Sequence, residues 1–431
     1  MILKSVCRTR GIETGSRVRV KLSIFGLPFT MEAEHIALEP PGMFRDRFVK
    51  SPFSRWTHTH LFSSLGKDDS ILEDRVEYTL FPYLPRFFHR LADREIRRMF
   101  EYRHLITAGD MDRHRAASAS MTILVSGAGG VIGSALVDFL TTGGHRVIRL
   151  VRRLPVGGNE LFWDPAKREL DLKDAGYIDA VINLNGNRIF GKRWTGRQKE
   201  KIINSRVDST RTLALALAAL SSPPKVFISA SATGFYGEGG DRVLNENGPR
   251  GDLFISRVCS QWEKAAEPAR DAGIRTVFAR IGVALTPRGG ALASLLPCFR
   301  LGLGGKIASG NQYMSWISMD DIIYGLYHMI NTPLLEGPVN LVSPNPVTNK
   351  SFTGSLSRVV GRRAGVTVPE PAINLLWGAM GKEVLLTSTR VVPEKLLNSG
   401  FRFSYPDLDE ALGFTLGRPV ADSFEKDRPH A

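Results

Sequence analysis

The chain has 431 residues, of which 43% are apolar and 23% charged, with three cysteines and a formal net charge of +14. That length calls for two or three domains. No apolar run approaches the ~20 residues a bilayer span needs, and Cys7, Cys259 and Cys298 are too scattered for a disulfide framework or a metal knuckle. A membrane protein and a disulfide scaffold are therefore excluded. The opening MILKSVCRTRGIETG has too short an apolar core for a signal peptide, so a cytoplasmic location is expected. The densest basic cluster (Arg94, Arg97, Arg98, Arg103) is interleaved with Glu95 and Glu101 on one predicted helix, the pattern of a solvated face; no nucleic-acid partner is expected.

Residues 1 to about 115 read as antiparallel strands followed by one helix. Arg17 to Phe25 alternates Val18, Val20, Leu22 and Ile24 against Arg17, Arg19, Lys21 and Ser23, a half-buried strand. Shorter strands are predicted at Met31–Leu38, Met43–Val49, Arg55–Phe62 and Ile71–Leu80. Pro85 to Leu105 carries Phe87, Phe88, Leu91, Ile96, Met99 and Phe100 at helical spacing. A curved sheet wrapped on a long helix suits an apolar ligand. His58 and His60 share a strand face and could ligate a metal, but no third ligand is evident nearby and no metal is expected. Arg113 to Ser120, RHRAASAS, reads as a linker, and Met121 stands where an independent module would begin.

Thr122 to Gly144 organises the rest. Ile123-Leu124-Val125 is a buried strand, Gly127, Gly130 and Gly133 follow at G-x-x-G-x-x-G, and Val131 to Leu140 is helical up to Gly143-Gly144. Strand, glycine turn and helix form the first unit of a dinucleotide-binding fold, in which the helix start offers N–H donors to a pyrophosphate. Gly127, Gly130, Val131, Ile132 and Gly133 are the expected cradle. The second strand, Arg146 to Val151, ends in Arg152-Arg153 with no acidic residue before Glu160. Arginine at that place pairs with a 2′-phosphate, so NADP is expected over NAD. Asp179 to Asn185 is the next strand, and Asn185 and Gly186, at its end, complete the expected cofactor set. Helices at Arg197–Leu220 and Leu253–Ala272 alternate with strands at Lys225–Ser229 and Arg275–Ala279, which predicts a doubly wound parallel sheet.

Two resemblances follow from these stretches. PGMFRDRFVKSPFSRWTHTHLF, LEDRVEYTL and RRMFEYRH resemble the START/Bet v 1-like (SRPBCC) superfamily, implying an antiparallel α+β helix-grip-like domain that holds an apolar ligand. That fold normally begins with a strand and two small helices, and little here precedes Arg17. SGAGGVIGSAL, RWTGRQKEKIINSRVDST, ISASATGFYG, VCSQWEKAA, GNQYMSWISMDDI, GPVNLVSPNPVTNKSF and PEKLLNSGFRFSYPDLDEAL resemble an extended short-chain dehydrogenase/reductase of the epimerase/dehydratase type ending in a small C-terminal domain of unknown function. The expected organisation is a ligand-binding domain at 1–115, a linker at 116–120, a Rossmann domain at 121–345, a C-terminal domain at 346–418 and a polar tail at 419–431.

The second resemblance implies a serine that holds a substrate oxygen and a Tyr-x-x-x-Lys pair for proton transfer. Ser231 matches the serine. The pair is missing: counting back from Trp262-Glu263, its positions fall on Ile255 and Cys259. Losing a positioned acid/base costs about 10²–10⁴-fold. Tyr236, Cys259 and Glu263 are the replacement candidates, with Tyr236 placed beside Ser231 as the catalytic candidate or, alternatively, as a packing residue. Arg193 and Trp194 either clamp an anionic or flat substrate or pack at the surface. Two functions stay open: an NADP-dependent oxidoreductase or epimerase-like enzyme on a small carbonyl or hydroxyl compound, and a non-catalytic sensor that binds NADP(H) and a ligand.

Overall fold

Period-two alternation from Arg17 onward does produce strands. The computed structural model describes residues 2–8, 13–24, 27–51, 53–66, 69–115 and 119–418, and the chain divides into two compact units, Met1–Glu101 and Tyr102–Ala431. In the first, β1 (Ile2–Arg8), β2 (Arg17–Ile24), β3 (Leu27–Glu39), β4 (Met43–Lys50), β5 (Arg55–Leu65) and β6 (Asp69–Thr79) form one antiparallel meander in sequence order. β1 corrects the expectation that little precedes Arg17. It pairs with β2 from Ile2 opposite Ser23 to Arg8 opposite Val18, and a bulge between Leu3 and Ser5 breaks the alternation by which a strand is recognised. One face of this sheet carries Phe48 stacked on Trp56 at 5.0 Å, with Phe53 and Tyr78 against the same indole. His58 and His60 lie on that face too, where Asp46 and Asp74 join them.

The helix α1 (Arg86–Arg115) continues past the expected end at Leu105, so Arg113–Arg115 are helical and not linker; residues 116–118 lie outside the described residues. Gly109 and the aspartates discourage a helix by propensity, and packing overrides them. A Cβ on Gly109 would stand 2.9 Å from the Tyr324 hydroxyl, that hydroxyl donates to Asp110 at 2.8 Å, and His114 stacks on Phe139 at 4.1 Å.

The second unit is built on an eight-stranded sheet. Its strands are β7 (Thr122–Ser126), β8 (Arg146–Val151), β9 (Glu160–Asp164), β10 (Glu169–Leu170), β11 (Ala180–Asn183), β12 (Val226–Ala232), β13 (Arg275–Ile281) and β14 (Gly337–Leu341). Their spatial order is β10-β9-β8-β7-β11-β12-β13-β14, parallel except for β10 against β9. The order reverses between β7 and β11, the crevice where open α/β sheets take their ligands. Ile123, Val125, Ile182 and Ile228 pack on one face with α2 (Val131–Thr142). Leu124, Val181, Phe227 and Phe278 pack on the other with α3 (Gly196–Ala218). Burial on both faces explains the unbroken apolar runs. The predicted helix Leu253–Ala272 is two pieces, α4 (Phe254–Lys264) and a short helix Glu267–Asp271 that takes Pro268 in its first turn.

α5 (Met319–Asn331) lies over β12 and β13 and is buried along most of its length. The C-terminal segment adds a separate cluster, in which Phe352, Leu356, Leu408 and Leu412 close over Leu292, Leu296 and Trp316. Among the described residues no helix is long and apolar enough to cross a membrane. The polar tail at 419–431 lies outside the described residues.

Candidate functional site

β7 delivers its chain into a turn that only small residues can make. Gly127 has φ +74°, and a Cβ there would stand 2.8 Å from the Leu184 carbonyl carbon on the neighbouring loop. A Cβ on Gly133 would stand 2.2 Å from the Gly127 oxygen, so the first turn of α2 lies directly against the strand end. Gly129 and Gly130 face outward: nothing lies within 4 Å of a Cβ on the former, and the Gly127 oxygen at 3.1 Å is the near atom for the latter. The three glycines therefore divide their work. Gly127 and Gly133 hold turn and helix together, and Gly130 caps α2 with extended backbone, leaving an open, N–H-lined surface. Val131 and Ile132 are half-buried at the helix start.

A buried asparagine ties three strand ends to this turn. Asn183 lies between Ser126 and Ser229 in the register of β7, β11 and β12. Its Oδ1 accepts from Ser126 Oγ at 2.7 Å and from Asn185 Nδ2 at 3.2 Å, while its Nδ2 donates to Thr210 Oγ1 at 2.7 Å and Ser229 Oγ at 3.3 Å. Asn185 is thus held at the mouth of the crevice by Asn183, a residue the sequence reading passed over as strand core. Gly186 follows, and a Cβ on it would meet the Arg206 guanidinium at 2.9 Å.

Arg206 was also missed. It is 6% exposed and donates to the carbonyls of Ile202 and Asn187, each at 3.1 Å. Its Nε has no partner, it lies over the Trp262 ring at 4.9 Å, and it makes no ion pair among the described residues. Burial brings its guanidinium down to about 10. Ile202, Arg206, Ser209, Leu213 and Leu217 are all buried on one side of α3; an arginine inside such a stripe was the signal available.

At the end of β8 the expectation of two arginines with no acidic neighbour is corrected. Glu160, buried on β9, receives Arg153 through two bonds of 2.7 and 2.8 Å, the Val156 amide at 2.8 Å and Arg149 at 3.1 Å. The Arg153 guanidinium, helped by the Val156 amide, holds the Glu160 carboxyl below its ordinary value. β9 returns beside β8, so a residue distant along the chain becomes adjacent across the sheet. Arg152 is exposed and has no side-chain partner among the described residues.

Ser231 lies inside β12, 2% exposed, opposite Arg280 of β13. Its hydroxyl donates to Glu263 Oε1 at 2.7 Å. Arg280 clamps both oxygens of Glu263 at 2.9 Å, lies over the Phe235 ring at 3.6 Å and donates to the Tyr236 hydroxyl at 3.0 Å. Tyr236, 3% exposed, donates in turn to Asn340 Oδ1 at 2.7 Å. Burial pushes the Tyr236 phenol above its ordinary value, against the pull of Arg280. The hydroxyl is already committed to Asn340 and Arg280, so of the two readings of Tyr236 this arrangement fits the packing residue. Cys259 is buried, and burial, then the Glu263 carboxylate, push its thiol up to about 12. Ile255 is buried beside it.

Trp194 is likewise a core residue. It is 8% exposed, donates to the Ile189 carbonyl at 3.0 Å and meets Phe254 edge-on at 5.1 Å. The substrate-clamp expectation is therefore corrected for Trp194. Arg193 beside it is exposed, with its guanidinium 3.4 Å from where a Cβ on Gly378 would stand. From the same C-terminal segment Glu383 reaches across and accepts the Ile255 amide at 3.1 Å, capping the start of α4.

A glycine turn at the switch point of a sheet whose parallel strands run 3-2-1-4-5-6-7, braced from beneath by Asn183 and Arg206, defines a dinucleotide-binding α/β protein. Residues 123–341 match the NAD dependent epimerase/dehydratase family, and residues 368–414 match a domain of unknown function, DUF1731. An epimerase family protein of Mycobacterium bovis is 41% identical over 301 residues, covering 70% of this chain and 99% of the relative. Epimerase family protein SDR39U1 of Homo sapiens is 35% identical over 295 residues, 68% of this chain and 98% of the relative. The solved structure of a nucleoside-diphosphate sugar epimerase from Corynebacterium glutamicum superposes with a TM-score of 0.77 at 30% identity, covering 97% of this chain and 84% of that one. Human SDR39U1 isoform 2, solved with NADPH, superposes with a TM-score of 0.63 at 32% identity, covering 69% of this chain and 99% of that one. The chain belongs to the NAD dependent epimerase/dehydratase family.

Proposed function

We propose that this chain binds NADP(H) on the Gly127–Gly133 turn and is an oxidoreductase or epimerase-like enzyme acting on a small carbonyl or hydroxyl compound. The observation that carries this reading is the open cradle at Gly129 and Gly130, bounded by Asn185 and Gly186. Arg206 adds support, since a buried cation under Gly186 with no acidic partner among the described residues favours an anion above it. Arg152 supports the 2′-phosphate form, as does the NADPH bound to human SDR39U1. The nicotinamide, when bound, supplies hydride transfer. This chain's own residues bind and orient, and the proton comes from solvent or from the substrate itself, because Ile255, Cys259 and Tyr236 are buried and unsuited to give one. Arg193 is the remaining candidate for an anionic part of the substrate. The first unit, by its meander and its START-like stretches, is a ligand-binding module that serves the second.

One observation favours the sensor reading: the positions of the tyrosine and lysine are occupied by core side chains. The two readings separate in one assay. NADPH is mixed with the protein and a panel of quinones and aldehydes, and absorbance of the reduced nicotinamide is followed. Turnover with any member supports the enzyme; tight NADPH binding with no turnover across the panel supports the sensor.

A further inference from the structure

Strands β4, β5 and β6 bring four ionisable side chains to one buried face of the N-terminal sheet. His58 stands opposite Asp46 on β4, and His60 stands opposite Asp74 on β6. Asp46, His58 and His60 are 9%, 7% and 5% exposed, and the Asp74 side chain 1%. The sequence reading found no third ligand because both aspartates are remote along the chain and become neighbours only through strand register.

The hydrogen-bond pattern brings ligand atoms of Asp46, His58 and His60 within 4.8 Å of one another. Asp74 Oδ1 lies 2.9 Å from His58 Nε2 and 3.0 Å from His60 Nδ1. A carboxylate only accepts, so those two ring nitrogens carry protons. In neutral imidazoles the opposite nitrogens, His58 Nδ1 and His60 Nε2, then hold lone pairs, and they face Asp46 Oδ2 at 3.7 and 3.5 Å. Three acceptors pointed at one another in a buried site repel unless a cation lies between them. The separations are too long for hydrogen bonds. They match atoms sharing one metal, since ligands ~2.0–2.1 Å from a tetrahedral zinc ion stand about 3.3 Å apart. A ring proton is the competing cation.

We propose that His58 Nδ1, His60 Nε2 and Asp46 bind a divalent transition-metal ion, zinc foremost, with Asp74 fixing both imidazoles in the ligating tautomer. Carboxylates of this kind orient metal-bound histidines generally. The walls are apolar: Phe44 stacks on His60 at 3.8 Å and Phe100 of α1 meets His58 edge-on at 5.1 Å. A second observation points the same way. His35, opposite Asp46 on β3, is 8% exposed and its Nδ1 has no hydrogen-bond partner among the described residues, so this face holds polar capacity that those residues do not satisfy. Three protein ligands leave a fourth position open, the pattern of zinc sites that hold water or a ligand. The N-terminal unit would thus take a ligand bearing an oxygen or nitrogen donor rather than a purely apolar one.

The full chain, freed of metal by a chelator, is titrated with zinc and, separately, with cobalt(II). One equivalent of zinc should bind, and cobalt should give the intense visible d–d bands of a four-coordinate site. His58→Gln and Asp46→Asn should each weaken zinc binding by at least about 100-fold and abolish the cobalt spectrum, and Asp74→Asn should weaken it by about 10–100-fold with the spectrum retained. Circular dichroism establishes that each variant is folded. If a ligand variant does not fold, the wild-type cobalt spectrum and Asp74→Asn decide. Absence of one-equivalent zinc binding in the wild type, or wild-type affinity in folded His58→Gln, overturns the proposal and leaves a proton as the cation in the cluster.

Discussion

Two substitutions, one at the end of β8 and one at the start of β9, test the proposal that Arg152 rather than Arg153 meets the cofactor. Arg153 gives both terminal nitrogens to Glu160 and a further bond from Nη1 to the Leu154 carbonyl at 2.8 Å. Three of its five donors are committed before any nucleotide arrives. Arg152 is exposed with its five donors unused among the described residues. Arg152→Ala should therefore lower NADPH affinity by about tenfold, the low end for a charge-assisted phosphate contact thinned by water and salt. NADH affinity should stay within about twofold. Glu160→Gln tests the complement. It weakens the hold on Arg153, and the freed guanidinium should raise the NADPH-to-NADH ratio by a few-fold. Calorimetric titration of wild type and both variants, with each nucleotide at ~0.15 M salt, gives the ratios directly. A wild-type preference for NADPH of at least about tenfold is expected. Unchanged ratios in Arg152→Ala would refute the assignment. A selective loss of NADH in Glu160→Gln would instead make Glu160 the acceptor of a ribose hydroxyl and turn the preference toward NAD.

The glycine turn should respond in two ways. Gly133→Ala forces a Cβ 2.2 Å from the Gly127 oxygen and should cost about 1–3 kcal/mol of stability in a denaturant titration, whereas Gly130→Asp should keep the thermal midpoint within a few degrees and abolish nucleotide binding, because its added charge lies beside the pyrophosphate at the start of α2. Tyr236→Phe removes the donor to Asn340 and the acceptor of Arg280; the denaturation free energy should fall by about 1–3 kcal/mol while any turnover persists, and a turnover loss with unchanged stability would restore the tyrosine as an acid. Burial, then the neighbouring Asp321 and Asp110 carboxylates, push Asp320 up to about 7. The folded state thus holds a proton that the unfolded state releases, so this group's contribution falls as pH rises from about 4 to about 7 and is constant above; Asp320→Asn should be more stable than wild type at pH 8 by at least about 1 kcal/mol and nearly equal to it at pH 4 when thermal midpoints are compared.

Local signals carried most of the fold. The turn, α2, α3 and the parallel strands follow from periodicity and glycine placement, because burial on both faces writes unbroken apolar runs into the chain. What the sequence reading missed depends on register. The Glu160–Arg153 pair needs β9 to return beside β8, the Asp46–His58 and Asp74–His60 pairs need a three-strand alignment, and the α1 extension needs Tyr324 and Phe139 from far along the chain. The candidate site divides in the same way. Gly127, Gly130 and Gly133 were legible because their spacing states a backbone geometry. Tyr236 stays open between acid and packing residue in the sequence because proximity to Ser231 says nothing about which way a phenol turns after a one-turn 3₁₀ segment at Thr233–Tyr236.

The fate of Ser231 shows what the family scaffold can and cannot do in this chain. A serine hydroxyl has one proton to donate, and here it goes to Glu263. Both Glu263 oxygens are also held by Arg280, so the carboxylate keeps its ion pair if the hydroxyl turns away. Recruiting Ser231 to a substrate oxygen therefore costs about one neutral-to-charged hydrogen bond, roughly 1.5–3 kcal/mol, which a substrate contact of equal kind can offset. Ser231 is available to bind and orient. Passing a proton onward is different, since the groups beyond it are Glu263, clamped by Arg280, and Tyr236, which already gives its proton to Asn340. The chain from Ser231 to Asn340 ties β12, α4, β13 and β14 into one buried brace. Proton delivery along it would break the brace. The same bonds that make the brace rigid thus keep it from acting as a relay, which is why the proton in the proposed reaction is assigned to solvent or substrate.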